Sequence, residues 1–187
     1  MEAENKLLVE RIADLMNAGF HGSAWHGPSV LESVKKITPK EASFKTSSVH
    51  TIAELIYHIT SWKLFALKKL QGDEQYEISE EKNFGPHDKV DEFELETLLM
   101  ELSLSHDELL AELSKKDDDF LTEIVPGTEY NYYTLIHGVI QHDLYHTGQI
   151  ILLRKLCAAG GSKKSFDDDD VDFTSSTYFD DGLGDTY

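Results

Sequence analysis

Two histidines four residues apart, His142 and His146, are the first candidates for chemistry in this chain of 187 residues. On a helix that spacing puts both imidazoles on one face, close enough to hold one ion, and a third ligand must then come from another element. Spacing alone is weak evidence: with 9 histidines, chance supplies about 0.4 such pairs. Placement says more. His142, His146 and His58 each stand where the apolar periodicity of the surrounding segment asks for a core residue. Three unpartnered imidazoles in a core would cost on the order of 1–3 kcal/mol apiece in lost hydrogen bonds, and one divalent ion relieves all three. Any one of them alone is better explained as a core histidine bonded to a neighbour, whereas the three together favour a metal site.

Neutral imidazoles leave such an ion its double charge and an open position, which suits catalysis better than a closed structural site. A water could then ionise near neutral pH, or a substrate thiol could bind as thiolate. Zinc, nickel, copper, iron and manganese all remain open as the ion. Helical geometry offers Glu54, Asp143, Tyr145 and Gln149 as outer groups, although Glu54 is already explained by helix capping and Asp143 equally by a solvated surface. His106 falls near an apolar stripe and is the rival ligand, but Ser105 and Asp107 beside it allow an exposed position. His137 lies five residues before His142, about 140° round the helix, and reads as surface. His21, His26, His50 and His87 sit in loops or at helix starts, where solvent is expected, with Trp25 and His26 a candidate pocket mouth.

The elements that must carry these residues read as helices. Leu7, Leu8, Ile12, Leu15 and Met16 recur at helical spacing, with Gly19 as the stop. Pro28 opens a further piece through Val30, Leu31, Val34 and Ile37, and Pro39 marks a break. Thr51 with Glu54 predicts a capping box before a helix that ends near Gly72, with Ile52, Leu55, His58, Ile59, Trp62, Phe65 and Ala66 inward and Lys63, Lys68 and Lys69 outside. Residues 72–91 read as a long polar surface connection. A helix over about 91–115 and another from about Tyr132 to Cys157 complete the set, the last with Leu135, Val139, His142, His146, Ile150 and Leu153 on one seam. The expectation is an all-α four-helix bundle over residues 1–160, with sites built from inward-facing side chains.

Residues 161–187 carry eight aspartates against two lysines, and read as an acidic tail rather than a second domain. The net charge of -18 repels a phosphate backbone, so nucleic acid is not expected as a partner. No stretch is apolar enough to cross a bilayer, the first residues lack a signal core, and Cys157 is the single cysteine, so a cytoplasmic protein is expected.

The run GVIQHDLYHTGQIILLRK resembles the C-terminal signature of the DinB-like superfamily, which includes YfiT-like metal-dependent hydrolases and low-molecular-weight-thiol transferases. AWHGPSVLES and HTIAELIYHITSWK resemble its earlier helix motifs, in the same order, and the likeness spans about residues 5 to 157. It implies an up-down-down-up bundle, often a homodimer, with a metal held by one histidine of the second long helix and two of the last. The matching positions are His58, His142 and His146. It also implies a small-molecule substrate and a thiol such as bacillithiol or mycothiol as co-substrate. Taken with the residues, this points to a metal-dependent transferase or hydrolase. The alternatives are a non-catalytic metal- or ligand-binding bundle and an interaction module working through the acidic tail.

Overall fold

The computed structural model describes residues 7–46 and 49–160. The acidic stretch 161–187 lies outside the described residues. Four long helices, α1 (Leu8–His21), α4 (Ile52–Leu70), α6 (Glu92–Leu113) and α7 (Tyr132–Gly160), are joined through the short helices α2 (Val30–Ser33), α3 (Pro39–Ala42) and α5 (Glu80–Phe84) and a 3₁₀ turn at Phe120–Thr122. Among the described residues no helix is long and apolar enough to cross a membrane.

Local sequence chemistry sets most of the starts. Ser29/Glu32, Thr38/Glu41, Thr51/Glu54 and Asp91/Glu94 form capping boxes at α2, α3, α4 and α6, each satisfying two backbone donors and contributing about 1 kcal/mol. Asn131 serves α7, its side-chain oxygen accepting from the Thr134 N–H at 3.0 Å. The first helix has no local cap. Its Leu8 and Val9 N–H groups donate instead to the Asp118 carboxylate, at 3.0 and 2.9 Å. Those two bonds hold the Asp118 carboxyl below the usual range and tie the start of α1 to the connection between α6 and the 3₁₀ turn.

Two apolar clusters show the helix directions. One joins Val9, Ile12 and Met16 with Leu67 and Leu70, Leu109 and Leu113, and Leu135 and Ile136. It therefore gathers the start of α1, the ends of α4 and α6, and the start of α7. The other joins Phe20 with Ile52 and Ile56, Leu95 and Leu98, and Ile150 and Leu153, which are the opposite ends. The bundle is up-down-down-up. Helix α4 packs against α6 and α7, and α1 closes the other side against the same two. Arg154 of α7 clamps the short helices by donating to the Ser33 and Lys35 carbonyls at 2.8 and 3.2 Å and to Glu41 at 3.3 Å.

Between the two clusters lies a polar layer that corrects the expected exposure of Lys63. This lysine is 0 % exposed, and its ammonium donates to Asp143 Oδ2 at 2.5 Å. Lys69 is buried too, its ammonium donating to the Glu74 carbonyl at 2.8 Å, because the chain after α4 folds back over it. Gly19 does not stop α1. The helix runs on to Gly22, whose φ of 140° lies in the region that favours glycine. Pro39 likewise opens α3 rather than ending an element, since the first helical turn has no use for its missing N–H. The connection 72–91 contains α5, and α7 continues past Cys157 to Gly160.

Candidate metal centre

His58 projects from the middle of α4, and His142 and His146 project from successive turns of α7, the helix packed against it. Their Nε2 atoms meet. His142 Nε2 lies 2.9 Å from His58 Nε2 and 3.1 Å from His146 Nε2. His58 and His146 are buried, and His142 is half-buried.

The hydrogen-bond partners fix two of the tautomers. His58 Nδ1–H donates to the Asn83 main-chain carbonyl at 2.9 Å, and His146 Nδ1–H donates to Gln149 Oε1 at 2.7 Å. Both acceptors are oxygens, so the proton of each ring sits on Nδ1 and each Nε2 presents a lone pair. One proton on His142 Nε2 could satisfy only one of those lone pairs. A cation satisfies all three nitrogens. Ligands at roughly 2.0–2.1 Å, set 90–110° apart round an ion, lie about 2.9–3.4 Å from one another; the two separations from His142 fall in that interval, and all three ligand atoms lie within 4.8 Å of one another. The donor set therefore fits a divalent ion, and the three residues could hold one. Among the described residues this is the one cluster of histidine, cysteine or carboxylate side chains with that arrangement.

Burial lowers the pKa of all three histidines. For His142, burial and then the neighbouring His146, His58 and Lys63 bring it to about 3. For His58 and His146, burial outweighs the opposing bonds to Asn83 and Gln149. All three are neutral at pH 7, the form that ligates metal.

A cavity of about 580 Å³ opens beside the triad. Trp62, Phe65 and Phe84 form apolar walls, with Tyr130 and Tyr145 exposed at the rim. Phe84 stacks on the His58 ring at 4.2 Å and carries His50 on its other side at 3.6 Å. Trp62 Nε1–H donates to the Asn83 side-chain oxygen at 3.1 Å. Helix α5 is thus a flap over the back of His58. Gly85 ends it with a φ of 62°, and a Cβ there would stand 2.8 Å from His87 and 2.9 Å from Tyr57, so only glycine lets the flap lie this close.

The other sequence candidates separate. Gln149 touches the triad, and Tyr145 lies edge-on to His146 at 4.9 Å. Glu54 does not reach His58: it is held in the Thr51 capping box, 3.5 Å from His50. Asp143, about 100° round α7 from His142, is buried and accepts from the Lys63 ammonium rather than reaching the triad. His106 is also buried, contrary to the exposed position its flanks allow, but it stacks on Phe20 at 3.8 Å, away from the triad. His137 packs on Tyr133, and His21 lies 3.7 Å from Asp107. Trp25 is fully exposed, and neither it nor His26 lines the cavity. Asn83, Phe84 and Gly138, which do matter to the site, carry no sequence signal stronger than the Ser79 start that opens α5.

Residues 25–150 match the family profile of the DinB superfamily. The chain belongs to the DinB superfamily. The matched region of this DinB superfamily chain holds all three histidines, Asn83 and Gln149, and stops before the acidic stretch 161–187. No curated protein and no solved structure matches it.

Proposed function

We propose that the protein is a metal-dependent enzyme in which an ion held by His58, His142 and His146 activates a small thiol or a water for transfer or hydrolysis on a small electrophilic substrate. One observation carries this reading: three imidazoles from two helices bring their ligand nitrogens within 4.8 Å of one another beside an open cavity, with the Nε2 lone pairs of His58 and His146 left free. Asn83 and Gln149 keep the protons on Nδ1, and burial keeps the rings neutral. The apolar walls of Trp62, Phe65 and Phe84 lower the local polarity and so strengthen electrostatic interactions at the ring nitrogens. When bound, the ion supplies Lewis-acid activation that uncharged ligands leave undiminished.

Elemental analysis of protein purified without chelator or nickel resin, followed by zinc and nickel reconstitution and assays of thiol conjugation and ester hydrolysis, tests the reading. Turnover that His142→Ala abolishes supports it. Absence of a stoichiometric metal, or no turnover with any common thiol or ester, counts against it. A binding protein without turnover is the second reading. The lining favours it in one respect: among the described residues round the cavity there is no carboxylate or amine to act as general acid or base. Tight metal and ligand binding with no product would establish it.

A further inference from the structure

The chain is strongly acidic overall, yet no aspartate, glutamate, lysine or arginine is among the described residues that line the cavity. The polar side-chain groups there are the three imidazoles, the Asn83 amide, the Trp62 indole N–H that it accepts from, and the hydroxyls of Tyr130, Thr134 and Tyr145. Several carboxylates on one ligand would find no cation except an ion at the triad, which has one open side, and burying the rest unpaired is unfavourable. Flat apolar matter finds Trp62 and Phe65 on α4 and Tyr130 at the rim.

Gly138 adds an independent argument. It lies inside α7, where glycine is the poorest ordinary helix former, and no turn or positive φ requires it. A Cβ built there meets nothing within 4 Å, so packing does not require it either. It lines the cavity one turn before His142, and its missing side chain leaves room beside the triad. The volume lies in the range of pockets that take drug-sized molecules.

We infer that the cavity accepts a small neutral molecule with a flat apolar body, its one donor group toward the histidines, and discriminates against multiply charged thiols. Gly138 is the residue that sets the room for that body. The donor end of this inference rests on the metal-dependent reading above, whereas the body end does not.

Calorimetric titration separates the two ends. Indole, which is neutral, flat and without a metal donor, is expected to bind metal-free and zinc-loaded protein with dissociation constants within threefold of each other. Gly138→Leu should weaken indole at least tenfold, and Gly138→Ala less, while zinc affinity stays within threefold. In the zinc-loaded protein, 2-phenylethanethiol should bind at least tenfold more tightly than glutathione. Glutathione binding as tightly as the neutral thiol, or indole affinity unmoved by Gly138→Leu, overturns the inference. Failure to take up zinc while indole still responds to Gly138→Leu defeats the metal-dependent reading and leaves the cavity assignment standing.

Discussion

Lys63→Met should destabilise the protein by about 3–5 kcal/mol, the usual cost of stranding one partner of a buried ion pair. The magnitude follows from the surroundings of the pair. The ammonium is fully buried, Asp143 is 2 % exposed, and Asp143 Oδ1 already has no hydrogen-bond partner. Removing the ammonium therefore leaves a carboxyl group with neither water nor a donor. Burial pushes Asp143 above the usual carboxylate range, and Lys63 offsets part of that push. The contact between Lys63 and His106 Nδ1 is long, at 3.4 Å, and its loss adds at most about 1 kcal/mol. Against a total stability of roughly 5–15 kcal/mol, the single variant would be only marginally folded. The double variant Lys63→Met/Asp143→Leu removes both charges and should recover most of the loss, to within about 2 kcal/mol of the parent. Urea unfolding followed by far-ultraviolet circular dichroism, in chelator so that metal does not contribute, measures all three proteins. A single-variant loss under about 1 kcal/mol, or a double variant as unstable as the two singles added, would refute the argument.

Four further expectations can be checked with the same preparations. Gln149→Leu removes the acceptor from His146 and should weaken zinc about 10- to 100-fold with little change in unfolding of the metal-free protein, as competitive chelator titration would show. His142→Ala should abolish stoichiometric zinc in elemental analysis while leaving the helical circular dichroism signal intact. Burial first, then Lys63 and His21, lowers the His106 pKa to about 2, so the unfolded chain takes up a proton there below about 6.5 that the folded chain refuses. Its contribution is therefore lost as pH falls, about 2 kcal/mol between pH 6.5 and 5, and His106→Phe should flatten unfolding free energy against pH by one proton. Gly138→Ala should raise stability by up to about 1 kcal/mol in urea unfolding, because the added methyl meets open space on a helix.

The helices and the seam of α7 were legible because apolar residues at a period of 3.6 repeat over many turns, and three histidines interrupting two such rows stand out. Lys63 was not legible. A lysine inside a helix reads as solvated unless its partner is known, and Asp143 lies 80 residues away in sequence. His106 misled for a related reason: of its polar flanks only Asp107 is exposed, while Ser105 is buried with it and donates its hydroxyl to the Leu102 carbonyl. The flap was hidden by composition. Residues 72–91 are polar, α5 buries none of its own side chains, and what it contributes to the site is largely a backbone oxygen and one aromatic face. Gly19 and Gly22 are alike as letters, and only tertiary packing decides which ends α1.

The acceptor that holds the His58 proton is a main-chain carbonyl, and this has a consequence for genetics. No substitution at position 83 deletes that oxygen, so an alanine scan would report on the amide of Asn83 and its bond to Trp62 while passing over its effect on His58. Only shifting the peptide itself would expose the dependence, for example by shortening the 72–91 excursion or by placing a methyl at Gly85. A main-chain group that no point substitution at its own position removes can therefore still govern which nitrogen of a buried imidazole is protonated.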